Sequence, residues 1–157
     1  MAGWRAAYAH ILPAAFLAGL SVADRAGRWR SRLGAAALPD APTLVAVDAE
    51  DAVVGFAHTG PLRDADLPAE GRAEIYTLYV HPGAWRAGIG RALVDEVEAF
   101  CLARDMDELF AWVFEANHAA RAFYAAVGFV PDGATQIDDF GGVQPVEVRY
   151  RRSLRGP

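Results

Sequence analysis

A glycine-rich turn, Gly88-Ile89-Gly90, is the part of the sequence best suited to binding an anionic group. It follows a β-branched and aromatic run at residues 75–80 that is typical of a buried strand, and it precedes apolar residues at helical spacing over residues 89–101. The first N–H groups of a helix lack carbonyl partners, and glycines leave room in front of them for a pyrophosphate. Arg86 and Arg91 flank the turn, and each could add a charge-assisted contact. The same pattern also suits a tight turn that needs glycine only for its backbone and packing.

Length and composition predict one globular domain spanning residues 1–157, with 54% apolar and 22% charged residues. The net charge of −5 argues against a nucleic-acid partner and is compatible with an amine substrate. Cys101 is the only cysteine and falls on the apolar face of a predicted helix, so we expect it in the core. No Cys/His cluster has zinc spacing, and no metal is expected. His10 and Pro13 interrupt the N-terminal apolar stretch, so a cytoplasmic protein without a membrane partner is expected.

The other elements predict a mixed α/β fold, with a central sheet flanked by helices. Apolar residues from Trp4 to Leu12 predict a helix that Pro13 ends or bends, and Phe16, Leu17 and Leu20 continue an apolar face. Ser21 is expected to cap a second helix. That second helix should turn Ala26, Trp29 and Leu33 inward. Further helices are predicted over residues 89–101 and 117–127, and strands at residues 43–47, 53–59, 75–80, 109–114, 129–131 and 146–150.

Two motifs resemble those of one family. Val80-His81-Pro82 followed by Gly88-Ile89-Gly90-Arg91-Ala92-Leu93 is similar to the acetyl-CoA-binding signature of the GNAT superfamily of N-acetyltransferases. Asn-His-Ala-Ala-Arg-Ala-Phe-Tyr at residues 117–124, followed by Gly128-Phe129, resembles its second motif. The resemblance covers roughly residues 43–154. It implies a GNAT-like α/β fold and acetyl-CoA as co-substrate.

The resemblance also implies roles for individual residues. The backbone of Leu78, Tyr79 and Val80 would pair with the pantetheine arm like an added strand. Asn117 would hydrogen-bond the cofactor arm, and it equally suits a helix N-cap. Tyr124 would donate a proton to the departing thiolate, because a phenol stays protonated at neutral pH; the alternative is a core aromatic. The cofactor's phosphates would lie on the turn formed by Trp85, Arg86, Ala87, Gly88, Ile89, Gly90 and Arg91.

The acceptor amine must lose a proton and attack the thioester carbonyl, whose oxyanion a backbone N–H of Leu78 or Tyr79 would hold. Glu74 is the first candidate for the base, directly or through water, with a solvated strand-end charge as the alternative; Glu115 is the second candidate. The histidines are expected to be loop or surface residues, namely His58, His81 and His118.

Three positions depart from the family's pattern. Trp85 stands where Gln or Arg is usual, and Arg86 where Gly is common. Trp112 occupies a place where relatives that acetylate protein N-termini often have Glu, which favours a small-molecule amine over a peptide. The usual first strand is missing at the front, through truncation or because the true start lies upstream. The strand at residues 43–47 would then have a free edge, and a homodimer is one consequence. Residues expected on the acceptor side are Trp4, Tyr8, Trp29, Asp64, Asp66 and Glu70.

Two other functions compete with acetyl transfer. A dinucleotide-binding oxidoreductase is disfavoured, because Gly-Ile-Gly-Arg-Ala-Leu lacks the third glycine and the chain has only one such unit. A non-catalytic acyl-CoA-binding sensor on the same fold stays open. The expected function is acetyl-CoA-dependent N-acetyl transfer to a primary amine of a small molecule, or less favourably a peptide, within a ternary complex.

Overall fold

The computed structural model describes residues 2–34 and 41–155. The helices are α1 (Ala2–Tyr8), α2 (Ala14–Ala18), α3 (Val22–Gly34), α4 (Ile89–Leu102) and α5 (His118–Ala126). The strands are β1 (Thr43–Val47), β2 (Val53–Pro61), β3 (Arg72–Val80), β4 (Glu108–Phe114), β5 (Val130–Ile137) and β6 (Val146–Ser153). A short 3-10 turn, Pro82–Ala84, separates β3 from α4.

The six strands form one mixed sheet in the order β1-β2-β3-β4-β6-β5. Only β3 and β4 run parallel, because α4 carries the chain back between them. The predicted mixed α/β fold is therefore confirmed. In the described ranges no strand precedes β1, which pairs with β2 alone and leaves Val45 and Val47 more than half exposed.

Strand β3 has an irregularity that matters for the site. Thr77 pairs with His58 of β2 and Ile75 pairs with Thr59, so Tyr76 lies between two paired residues without a partner of its own on β2. This is the arrangement of a β-bulge, which bends a strand and re-aims its side chains. Pairing with β4 ends at Ile75, although β3 continues to Val80. The two central strands therefore separate beyond the bulge and leave a gap between them.

The two faces of the sheet are covered differently. On one face α4 and α5 bury the main core, which includes Val94, Val97 and Cys101. On the other face α1 and α2 form a smaller cluster around Leu12, Leu17 and Phe114. Strand β2 marks the division, because Ala57 belongs to the main core whereas the ring of Phe56 contacts Trp29 of α3.

The N-terminal helices differ from the sequence expectation. The helix predicted from Trp4 to Leu12 ends at Tyr8, and α2 starts directly after Pro13, so three helices replace the predicted two. Pro13 has no N–H, which suits it to the start of a helix as well as to its end. The prediction that Leu33 points inward is wrong: Leu33 is 60% exposed. The cap is confirmed, since the Asp24 N–H donates to Ser21 Oγ at 3.1 Å.

The last two strands are longer than their sequence suggests. The strand predicted at residues 129–131 extends as β5 to Ile137, and β6 continues to Ser153. Pro131 and Gly133 discourage a strand prediction. The register between β5 and β6 shifts between Pro131 and Thr135, so the sheet accommodates the proline at an edge-strand irregularity.

Candidate active site

The turn before α4 carries a row of unpaired backbone donors. Gly88 is the N-cap of α4 and has a φ of +81°, and Arg86 also has a positive φ, +64°. Among the described residues, no N–H group from Arg86 to Arg91 donates to a backbone carbonyl; the next one, that of Ala92, bonds to Gly88. Consecutive free N–H groups at a helix start form an anion cradle.

The second glycine of the turn packs closely against α5. A Cβ on Gly90 would lie 3.0 Å from the Phe123 ring, so that ring would have to shift by a few tenths of an ångström to admit a side chain. The simpler interpretation of the motif, a tight turn with close packing, therefore holds together with the free donors.

The side chains around this turn are partly engaged. Arg91 Nη2 donates to the Ala126 carbonyl at the end of α5, at 2.7 Å, so its charge lies at a helix C-terminus. The indole N–H of Trp85 donates to the Val80 carbonyl at 2.8 Å, and Trp85 is 49% exposed. This bond ties the end of β3 to the turn at residues 85–91, which we call the phosphate turn because it is predicted to hold the phosphates of the cofactor. Arg86 is exposed.

Strand β3 directs the backbone groups of alternate residues towards the gap, where the Val80 carbonyl already accepts the Trp85 indole N–H. The His81 N–H donates to the Val54 carbonyl of β2 at 2.7 Å. Antiparallel pairing alternates, so Tyr79 and Thr77 also direct their backbone groups towards β2. Leu78 and Val80 then direct theirs towards the side that β4 has left. Of the two predicted oxyanion donors, this register favours the N–H of Leu78 over that of Tyr79.

Asn117 and Tyr124 position α5 against this gap. Asn117 is 7% exposed, and its Oδ1 caps α5 by accepting from the Ala120 N–H at 3.1 Å. Tyr124 is also 7% exposed and packs against Phe129 and Tyr150. Burial raises the pKa of Tyr124, and Tyr8 of α1 adds to the shift. Tyr124 is therefore a buried aromatic residue whose phenol stays protonated at neutral pH.

The face covered by α1 and α3 holds a cavity of about 620 Å³. Its floor includes Glu74, Thr77 and Glu147, and Tyr8 Oη lies 3.2 Å from Tyr79 Oη at its wall. Nine aromatic side chains also line the cavity, namely Trp4, Tyr8, Trp29, Phe56, Tyr76, Tyr79, Trp112, Phe114 and Phe140. We call this space the acceptor cavity, and it includes the predicted acceptor-side residues Trp4, Tyr8 and Trp29.

Glu74 lies on the floor of the acceptor cavity and is 2% exposed, so the alternative of a solvated strand-end charge is wrong. Arg63 of the β2–β3 loop donates to both of its carboxylate oxygens, with Nε at 3.0 Å from Oε2. The Arg63 guanidinium also lies 3.9 Å from the centre of the Tyr76 ring. Glu74 is therefore half of an ion pair, with Arg63 on both of its carboxylate oxygens.

Glu115, the second candidate for the base, and the histidines lie at separate places in the fold. Glu115 is exposed. His81 and His118 are exposed as predicted, and His81 Nδ1 accepts from the Gly83 N–H. The prediction for His58 is wrong: it is a β2 residue, 7% exposed, whose Nδ1 is 3.0 Å from Thr43 Oγ1. Burial lowers its pKa, so it is neutral at pH 7.

A buried arginine that the sequence did not single out organises the β2–β3 loop. Arg149 of β6 is 4% exposed and contacts three carboxylates, at 2.8 Å for Asp64 and Asp66 and 2.7 Å for Asp132. The indole N–H of Trp112 donates to Asp64 as well. The predicted acceptor-side residues Asp64 and Asp66 therefore face Arg149, and they fix the loop that carries Arg63. Glu70 is exposed on the same loop.

Two further polar groups of the acceptor cavity escaped sequence reasoning. Glu147 of β6 accepts a hydrogen bond from Gln136 Nε2 at 2.6 Å, and burial raises its pKa. Thr77 Oγ1 is buried without a hydrogen-bond partner among the described residues. Val-Glu-Val-Arg-Tyr at residues 146–150 alternates like a strand with a solvated face, so only the fold reveals where Glu147 points.

Comparison with known proteins identifies the family. The sequence profile of the Acetyltransferase (GNAT) family matches residues 5–129. The chain belongs to the GNAT family of acetyltransferases. It is 32% identical over 146 residues to the uncharacterized N-acetyltransferase YuaI of Bacillus subtilis strain 168, covering 92% of this chain and 78% of YuaI. It is 36% identical over 110 residues to the peptidyl-lysine N-acetyltransferase YjaB of Escherichia coli K12, covering 69% of this chain and 63% of YjaB.

A solved structure gives the same assignment for the GNAT fold. The phosphinothricin acetyltransferase of Sinorhizobium meliloti, in complex with acetyl-CoA, superposes with a TM-score of 0.65 at 26% identity, covering 86% of this chain and 70% of that one. The GNAT chain described here is thus an acyl-CoA-dependent N-acetyltransferase, and acetyl-CoA is the co-substrate that this comparison supports. None of the described helices is both long enough and apolar enough to cross a membrane.

Proposed function

We propose that the chain transfers an acetyl group from acetyl-CoA to a primary amine of a small molecule, directly and within a ternary complex. The observation that carries this proposal is the gap between β3 and β4. The phosphate turn and α5 approach the gap from one face of the sheet, and the acceptor cavity approaches it from the other. Tyr8 lines the cavity and contributes to the raised pKa of Tyr124, so the two faces are within electrostatic reach of each other.

The cofactor would be held mainly by backbone groups. The free N–H groups from Arg86 to Arg91 would hold the pyrophosphate, and Trp85 would fix this turn to the end of β3. The pantetheine arm would pair with Leu78 and Val80 where β4 no longer does, beside Tyr79. Asn117 would bond the arm while it caps α5. The thioester would then lie at the gap.

Acetyl transfer needs a hydrogen-bond donor for the oxyanion and two proton transfers, one from the amine and one to the thiolate. The Leu78 N–H would hold the oxyanion of the tetrahedral intermediate. Tyr124 would give its proton to the thiolate as the C–S bond breaks. Glu74 lines the cavity and would take the amine's proton, through water because Arg63 holds both of its oxygens. Glu115, which is exposed, is the weaker candidate.

A small acceptor is favoured over a peptide by the shape of the site. The cavity is covered by α1 and α3 and has nine aromatic side chains in its lining, which suits one compact group better than an extended chain. Trp112, which replaces the glutamate of N-terminal acetylating relatives, forms part of this wall and is held by Asp64.

The first experiment separates the enzyme from a non-catalytic acyl-CoA sensor. Acetyl-CoA is titrated into the chain by calorimetry, and amine-dependent release of CoA thiol is then followed with a panel of primary amines. Tyr124→Phe should lower kcat roughly 10²- to 10⁴-fold, as expected for a lost general acid, and leave the acetyl-CoA Kd nearly unchanged. Phe123→Leu is a matched change of the neighbouring aromatic residue and should spare kcat. Equal kcat for wild type and Tyr124→Phe would remove the acid role, and binding without amine-dependent release would indicate a sensor.

A further inference from the structure

Glu147 differs from the other shielded carboxylates because no arginine pairs with it among the described residues. In the described ranges, five other carboxylates are at least partly shielded from solvent, and each is paired with an arginine: Asp64 and Asp132 with Arg149, Glu74 with Arg63, Glu98 with Arg152, and Glu108 with Arg72. Glu147 is partly shielded too, but within the described residues its hydrogen-bond partner is the neutral amide of Gln136. A carboxylate withdrawn from water without a cation is costly, unless a ligand brings the cation.

Glu147 lines the acceptor cavity, so a ligand cation that pairs with it would lie in that cavity. Glu147 lies on the floor of the cavity with Glu74, and Asp138 lies on its lining; both add negative charge that raises the pKa of Glu147. Thr77 Oγ1, a buried hydroxyl without a partner in the described residues, lines the same space. A primary ammonium group has three donors, enough to bond a carboxylate and a hydroxyl together.

The arginines of the cavity are positioned away from this floor. Arg25 lies over the Trp4 ring at 4.6 Å and Arg32 over the Trp29 ring at 5.0 Å, both on α3, and Arg63 is neutralised by Glu74. Arg28 is exposed on α3. The cationic side chains thus belong to the outer wall and the loop, whereas the unpaired anion lies on β6.

We propose that Glu147 binds the ammonium group of the acceptor, and that the acceptor is a primary ammonium compound carrying an aromatic group. The aromatic lining would hold the apolar part of this molecule, and its π faces also favour a cation. This inference rests on the proposed function and specifies its substrate class.

The test uses 2-phenylethylammonium as the probe and 2-phenylethanol as its neutral analogue. Binding of each to the full chain is measured by NMR titration, with and without CoA. Wild type should bind the ammonium compound more tightly than the alcohol. Glu147→Gln should weaken ammonium binding on the order of 10- to 100-fold, the strength of a charge-assisted hydrogen bond, and leave alcohol binding unchanged. Glu50→Gln makes the same charge change at an exposed site in the turn between β1 and β2 and should alter neither affinity.

Two results would overturn the assignment. Equal affinity of wild type and Glu147→Gln for the ammonium compound would show that Glu147 does not bind the charge. No saturable binding of the ammonium compound by wild type would exclude an aromatic amine as the acceptor. Acetyl-CoA titration of each variant separates these outcomes from a failure of the proposed function, since a chain that binds acetyl-CoA and lacks the amine site contradicts this inference alone. Retained acetyl-CoA binding also reports that Glu147→Gln is folded.

Discussion

The two faces of the sheet are built on different physical principles. The cofactor face uses backbone N–H and C=O groups from one continuous stretch, β3 to the start of α4, over a dry core. The acceptor face uses side chains from α1, α3 and five strands around an open cavity, with charges held by Arg63 and Arg149. A cradle formed by backbone groups is expected to tolerate changes of side chain, such as the tryptophan at position 85. A cavity made of side chains is not, so acceptor specificity can change while cofactor binding is preserved.

The largest effect should come from removing the arginine that supports the acceptor face. Arg149→Ala leaves Asp64 and Asp132 without their cation, and we expect a loss of about 3–5 kcal/mol of unfolding free energy in urea denaturation. Arg151→Ala, a control on the same strand with an exposed ion pair to Glu108, should cost no more than about 1 kcal/mol. Similar losses for both variants would mean that the buried network does not hold this face together.

The cofactor face should respond to a backbone change. Gly88→Ala forces a side chain into a φ of +81°, which costs about 1–2 kcal/mol. If the cradle must keep this geometry to bind phosphate, acetyl-CoA affinity should fall roughly 5- to 30-fold in calorimetry. Gly142→Ala has nearly the same φ, +86°, in the β5–β6 loop and should match the stability loss without weakening acetyl-CoA. Unchanged affinity for Gly88→Ala would contradict the cradle.

Trp85, the side chain proposed to fix the cradle to β3, should contribute less to acetyl-CoA affinity than Gly88 does. Trp85→Phe removes the indole hydrogen bond to the Val80 carbonyl, a contribution of about 0.5–1.5 kcal/mol, so acetyl-CoA should bind about 2- to 10-fold more weakly. Trp29→Phe, an aromatic change on the opposite face, should leave this affinity unchanged. Tighter binding by Trp85→Phe would instead mean that the indole competes with the cofactor for the carbonyl.

The smallest effect should be a gain in stability on the acceptor face. The pKa of Glu147 is raised by burial, so between its unfolded and folded pKa values the native state binds more protons. Unfolding free energy contributed by this group therefore falls as pH rises through that interval. Glu147→Gln should have a higher Tm than wild type at pH 7, and the difference should vanish at a pH below the unfolded pKa of glutamate. Glu115→Gln, at an exposed position, should show no such difference.

Much of the cofactor face was predictable because its signals are local. The strand, the turn, Asn117 as a cap and the apolar stripe of α4 all follow from neighbouring residues. The predicted bounds of β1 are those observed, and β4 begins one residue before its prediction. The roles given to Tyr124 and the phosphate turn stay predictions, which the buried phenol and the free N–H groups support.

The acceptor face was predicted poorly because its contacts join distant segments. Glu74 was predicted as the base or as a solvated strand-end charge, and the sequence did not indicate that it is buried and paired with Arg63. His58 appeared as a surface residue, and it is enclosed by Thr43 and Trp29. The helix expected through Leu12 ended at Tyr8, where α1 packs on β3 and β4.

The sequence by itself determined the family, the order of most elements and the glycine turn before α4, because these depend on short motifs, short-range periodicity and glycine geometry. Only the tertiary structure decided which carboxylates are paired. Arg149 lies 85 residues from Asp64 and Arg63 lies 11 from Glu74, and only the sheet register brings each pair together. Among the residues that the structure describes, the same register leaves Glu147 without a cation, since its neighbours across β4 and β5 are Phe114 and Gln136.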